Sequence, residues 1–125
     1  MKTKIILDIT RSPHVVLGVE EAIDLLRCLG DKKGYTRDLS ESLRMVENFE
    51  EFYGYMRRKF KDYLTPPKDP RDSLLGRIVV HKLKLFEEND RKVEIVFDRR
   101  FNLENIKECL KEIGFEEIEV ERQEI

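Results

Sequence analysis

The stretch RIVVHKLKLFEENDRKVEIVFD, Arg77–Asp98, decides the fold. Arg77 to Phe86 is rich in β-branched residues and alternates imperfectly. Lys92 to Asp98 alternates cleanly, with Val93, Ile95 and Phe97 on one face. Polar residues Glu87 to Asp90 lie between them and predict a turn, so the whole reads as a β-hairpin. In that register His81 shares a face with Val79, Leu83 and Leu85, and is expected to be a hydrogen-bonded core or edge residue.

Working outward, Asn102 is placed to cap a helix over Leu103–Ile113. Leu103, Ile106, Leu110 and Ile113 form its apolar stripe, and Gly114 ends it. A last strand follows over Phe115–Arg122, with Ile118 and Val120 facing inward. On the other side, Lys4–Thr10 reads as a strand with Ile5, Leu7 and Ile9 on one face. Arg11–His14, containing Ser12-Pro13, reads as a turn. A helix is expected over Val19–Leu29, with Gly30 at its end. Thr36 then caps a second helical region, where Leu39, Leu43, Val46, Phe49, Tyr53, Met56, Phe60 and Leu64 recur every three or four residues. This is one helix of about 28 residues or two joined near Asn48 or Gly54. Pro66, Pro67 and Pro70 close it.

The order is β, extended α, β, β, α, β. It predicts an α+β, ferredoxin-like (split βαβ) domain over residues 1–125. The expected sheet is antiparallel, has four strands in the order 4-1-3-2, and carries an enlarged helical region after strand 1. Arg77–Phe86 and Phe115–Arg122 would be its edges.

Composition narrows the class. The chain has 125 residues, 40% of them hydrophobic and 40% charged. That supports a packed core and argues against disorder. No apolar run approaches the roughly 20 residues of a membrane helix, and the short run before Asp8 is too charged for a signal peptide. Twenty-four basic residues nearly cancel 26 acidic ones, for a net charge of −2. Any attraction to nucleic acid must then come from a local patch. Residues 104–125 hold eight acidic and three basic groups, so the remainder is net basic. Abundant Glu and Lys beside a single Gln fit a thermophilic source. Cys28 and Cys109 are expected to be small buried apolar groups in a reducing cytoplasm.

The most unusual stretch is Phe49–Tyr63, where Phe49, Phe52, Tyr53, Tyr55, Phe60 and Tyr63 are threaded with Arg57, Arg58, Lys59 and Lys61. Rings stack bases and cations grip phosphates, so this pattern suits single-stranded nucleic acid. On a helix, Phe49, Phe52, Tyr53, Met56, Phe60, Tyr63 and Leu64 fall within about 120°, the width of a core-facing stripe. Tyr53, Tyr55, Arg57, Arg58 and Lys61, with Lys68 and Arg71 of the proline-rich loop, are the candidate binding residues.

Asp8, Arg11 and His14 cluster at the end of the first strand and suit acid–base or phosphate chemistry. Metal-ligand, nucleotide-loop and nucleophile-elbow motifs are absent from the sequence, and no cofactor is expected. Lys92, Glu94, Val96 and Asp98 give the sheet no stacking rings of the RNA-recognition type. The expected function is a non-catalytic module for single-stranded DNA or RNA. A homo-oligomeric interaction or regulatory module is the alternative, with Lys82 and Lys84 on one sheet edge and Glu117, Glu119 and Glu121 on the other. A small enzyme with a site near Asp8, Arg11 and His14 is the second alternative.

Overall fold

The computed structural model describes residues 4–122. In chain order it contains strands β1 (Lys4–Asp8) and β2 (His14–Gly18). Helices α1 (Val19–Lys33), α2 (Arg37–Glu47), α3 (Phe49–Arg58) and the short α4 (Pro70–Leu74) follow. Strands β3 (Val80–Glu88) and β4 (Asp90–Phe97), helix α5 (Leu103–Glu112) and strand β5 (Glu117–Glu121) complete the chain.

The strands form one mixed sheet in the order β3-β4-β2-β1-β5. Neighbours are antiparallel except β1 and β5, which run parallel from Lys4 beside Glu117 to Asp8 beside Glu121. This corrects the expected four-stranded antiparallel sheet. The unforeseen element is β2. It makes a hairpin with β1 at Asp8 and His14, and it ladders with β4 from His14–Val96 to Gly18–Lys92. Its short apolar run, Val15-Val16-Leu17, leads directly into an apolar helix. Gly18 is both the end of the strand and the N-cap of α1, its N–H donating to Glu21 Oε1 at 3.1 Å. The strand after Gly76 and the last strand do lie at the sheet edges.

Alternation sorts the sheet into two faces. Ile5, Leu7, Val15, Leu17, Leu83, Leu85, Val93, Ile95 and Phe97 are buried in one core with Leu25 and Leu26 of α1, Leu39 and Val46 of α2, and Ile106 and Leu110 of α5. The opposite, open face carries Lys4, Ile6, Asp8, His14, Val16, Lys82, Lys84, Lys92, Glu94 and Val96; there Ile6 and Val16 are each 46% exposed.

One buried charge ties the two layers together. Asp38, in the first turn of α2, is 0% exposed. Its Oδ2 accepts the N–H groups of Val79 (2.9 Å) and Val80 (2.7 Å) and so fixes where β3 begins. The helix N-terminus favours the negative charge.

Helix boundaries depart from the periodicity in two places. α1 runs past Gly30 to Lys33, because Gly30 is buried under the Tyr35 ring, where a Cβ would collide; Gly34 (φ 95°) ends the helix instead. The second helical region breaks at Asn48 and stops at Arg58, well short of Leu64. Phe49 and Met56 are buried as a core stripe requires, but Phe60 and Tyr63 lie beyond the helix.

The cysteines depart from expectation too. They are not separate buried thiols: Cys28 of α1 and Cys109 of α5 form a disulfide, Cα–Cα 5.8 Å. Glu112 Oε2 lies 2.9 Å from Cys28 Sγ. A disulfide sulfur carries no proton, so this is a contact rather than a hydrogen bond. Bonded to each other, the two sulfurs are no longer thiolates able to join Glu112 around a metal ion.

Candidate functional site

The sequence-derived binding residues divide between two places. Around the end of α3, Tyr55 is 36% exposed and points away from the core. Tyr53 is half-buried, stacked on Phe49 at 5.4 Å, and the Arg57 guanidinium lies over its ring at 5.7 Å from the centroid. Arg57, Arg58, Lys59 and Lys61 are exposed. Lys68 does not reach this group. Its Nζ donates to the carbonyls of His81 (2.9 Å) and Pro66 (3.3 Å), clamping the proline loop onto β3. Burial lowers the Lys68 pKa, with the Asp38 and Asp98 charges opposing. Arg71 is exposed on α4, with its N–H held by Asp69 Oδ1 at 2.7 Å.

The chain leaves α3 through a Schellman motif. Lys61 N–H bonds Met56 O at 2.9 Å and Phe60 N–H bonds Arg57 O at 3.3 Å. Phe60 therefore occupies the left-handed position, φ 52°. The same two bonds end α4 and α5, and there the left-handed residues are Gly76 (φ 69°) and Gly114 (φ 117°). A side chain in that conformation costs about 1–2 kcal/mol. Phe60 bears this cost while 94% exposed, with Arg57, Arg58, Lys59 and Lys61 beside it in the chain. Tyr53, Met56, Arg57, Phe60, Lys61 and Lys84 line a hollow of about 440 Å³ there.

From Phe60 the chain wraps the β3 edge. Leu64 and Leu83 exchange backbone bonds of 2.7 and 2.8 Å, which buries Leu64 and sends Tyr63 to the open face. The Tyr63 hydroxyl donates to Glu94 Oε2 at 2.8 Å, and Lys82 Nζ sits 4.1 Å from the ring centroid. The bond to Glu94, then burial, pushes the Tyr63 pKa up to about 12.

Next to Tyr63 a cleft of about 500 Å³ is lined by Asp8, Arg11, His14, His81, Lys82 and Glu94. The suspected trio of Asp8, Arg11 and His14 does converge here. Asp8 Oδ1 accepts the Thr10 N–H at 2.8 Å, and Oδ2 lies 3.7 Å from His14 Nε2. Hydrogen bonds from Thr10 hold the Asp8 carboxyl below its ordinary range, and the His14 charge adds to the effect against desolvation. His14 Nδ1 is 3.0 Å from Ser12 O, so in the neutral ring Nδ1 bears the proton and Nε2 faces Asp8.

His81 corrects the strand reading. The register of β3 slips between Val80 and Lys82, so Val80 and Leu83 both point inward with two residues between them. Such a bulge re-aims a side chain. It leaves His81 exposed and lining the cleft with Lys82. Desolvation lowers the His81 pKa, Lys68 and Lys82 add to this, and Asp98 opposes. A second hollow, lined by Arg11, His81, Asp98, Arg99 and Arg100, adjoins it. The alternation of residues 77–86 hid His81 because a bulge leaves no mark in an apolar pattern. Tyr63 was hidden because its position depends on where α3 stops. No known family, curated protein or solved structure matches this chain.

Proposed function

We propose that the protein binds single-stranded nucleic acid along the β3 side of the sheet. The path runs from the Phe60 corner past Lys84, Tyr63 and Lys82 to Arg11, Arg99 and Arg100. The observation that carries this reading is Phe60, an exposed ring held in a conformation that the other two Schellman ends give to glycine. Strain retained at an exposed aromatic among cations is understandable as a stacking platform. Charge segregation supports it: Glu117, Glu119 and Glu121 lie on β5, at the far edge of the sheet from Lys82 and Lys84. Lys82 and Lys84 thus sit in the middle of the edge opposite that acidic strand, a local placement of cations that the net charge of −2 does not show.

The same reading treats the domain as an elaborated split βαβ unit, since omitting β1 leaves the order β3-β4-β2-β5. A cytoplasmic thermophile accommodates both the Glu/Lys-rich composition and the disulfide, because hyperthermophiles retain disulfides inside the cell.

The test is fluorescence anisotropy with a labelled single-stranded 20-mer at low and high salt. Phe60→Gly is expected to weaken binding at least fivefold, because stacking contributes about 1–3 kcal/mol per base. The same variant should match or exceed the parent in stability by up to about 1 kcal/mol, because glycine relieves the left-handed strain. Arg57→Ala with Arg58→Ala should weaken binding and flatten its salt dependence. Unaltered affinity in Phe60→Gly sinks the proposal.

A further inference from the structure

We propose that the cleft joining His14 and His81 is a two-histidine ribonuclease site, cleaving single-stranded RNA by attack of a ribose 2′-hydroxyl on the adjacent phosphorus. The inference rests on the nucleic-acid reading above and adds a reaction at one end of the same path. The chain has two histidines, and the fold brings both to one cleft. They arrive by different routes. His14 opens β2 and is paired through Val96 with Lys82, so His14 and Lys82 sit two strand spacings apart, about 10 Å. The bulge turns His81 to the Lys82 side of that gap. Both imidazoles thus line one cleft of about 500 Å³, with Lys82 and Arg11 beside them. Without the bulge, alternation would send His81 to the helix side, opposite Lys82.

The chemistry balances with these groups alone. His81, whose low proton affinity keeps it neutral at pH 7, takes the proton of the 2′-hydroxyl. The O2′–P bond forms and the P–O5′ bond breaks. The step requires the imidazolium form of His14, which, with Asp8 Oδ2 3.7 Å from its Nε2, passes the Nε2 proton to O5′. The products are a 2′,3′-cyclic phosphate and a 5′-hydroxyl. The two histidines exchange protonation states and recover them through solvent. Lys82 and Arg11 offset the charge that grows on the phosphoryl oxygens. The two carboxylates of the cleft are already engaged: Asp8 accepts from Thr10 at 2.8 Å and Glu94 accepts from Tyr63 at 2.8 Å. Asp98, Arg99 and Arg100 flank His81 in the adjoining hollow, and Lys68 holds its carbonyl at 2.9 Å.

The full chain is incubated in EDTA with a 5′-labelled single-stranded 20-mer RNA and with its deoxy counterpart. Products are resolved on a denaturing gel and binding is followed by anisotropy. The RNA should be cut to fragments ending in 2′,3′-cyclic phosphate, while the deoxy strand is bound and left intact. His14→Ala and His81→Ala should each lower cleavage at least 100-fold, with affinity within threefold of the parent and thermal midpoints unaltered. Lys82→Ala should lower both cleavage and affinity. Binding without cleavage overturns this inference and leaves the nucleic-acid reading standing. Cleavage that survives in either histidine variant also overturns it, because the activity then lies elsewhere. Absence of both binding and cleavage overturns the two readings together.

Discussion

Tyr63 shows how one side chain joins an edge loop to the sheet. Its ring lies against Lys82 and its hydroxyl holds Glu94, so residues 62–66 are fastened at both Leu64 and Tyr63. The pKa near 12 sets the sign of the pH effect. An unfolded tyrosine titrates near 10. The folded value is higher, so the stabilisation is fully present below about pH 10 and is lost as pH rises toward 12. Absorbance at 295 nm should show Tyr63 ionising near pH 12, its ionisation accompanied by exposure of the β3 edge; burial and the bond to Asp31 raise Tyr35 as well. Tyr63→Phe should remove the late phase and cost about 1 kcal/mol at neutral pH. A parent titration that Tyr63→Phe leaves unchanged near pH 12 would contradict the Glu94 bond.

At the scale of elements, Asp38 decides where β3 starts, and no local pattern announces it. Its two partners are 41 and 42 residues away, and its Oδ1 is buried without a hydrogen bond among the described residues. Asp38→Ala leaves the N–H groups of Val79 and Val80 buried and unpaired, so a loss of about 3 kcal/mol or more is expected from denaturant midpoints. Asp38→Asn, which keeps an acceptor, should lose less; parental stability in both variants would refute the role. Elements built on local chemistry were legible beforehand. Thr36 and Asn102 do cap their helices, and the Arg77–Asp98 hairpin forms with its turn at Asn89 (φ 66°). The elements that escaped notice depend on partners distant in sequence. β2 has three apolar residues that fit a strand or a helix lead-in equally, and its ladder with β4 decides between them. Periodicity carried α3 too far, because the Schellman bonds that stop it use a phenylalanine where a glycine would have marked the end. Convergence of Asp8, Arg11 and His14 followed from their nearness along the chain, whereas the arrival of His81 and Tyr63 required a bulge and an edge crossing.

For the whole molecule, the disulfide and the sheet edges bear on the same question of what keeps a small mixed sheet closed. The β3 edge is covered at Leu83 by Leu64, and β5 lines its edge with Glu117, Glu119 and Glu121, whose like charges disfavour pairing with a copy of itself. Neither device holds the helices together. Beyond the shared core, Cys28 and Cys109 add a covalent tie between the helices, joining α1 to α5 across 81 residues of chain. Closing a loop of that length removes unfolded-state entropy equivalent to roughly 4 kcal/mol on a chain-entropy estimate. Reduction should therefore lower the thermal midpoint by roughly 10–20 °C for a domain of this size, with the β-sheet signal intact below the transition. Cys28 is partly exposed, so a reductant can reach it. The freed Cys28 thiol would find Glu112 Oε2, now 2.9 Å from its sulfur, as an acceptor, and Lys32 already holds the other oxygen of that carboxylate at 3.0 Å. That local compensation is small beside the lost constraint. Calorimetry with and without a phosphine reductant, with thiol counting to establish complete reduction, measures the difference. A midpoint shift under about 3 °C in fully reduced protein would mean that packing of α1 against α5, rather than the bond, holds this side of the fold.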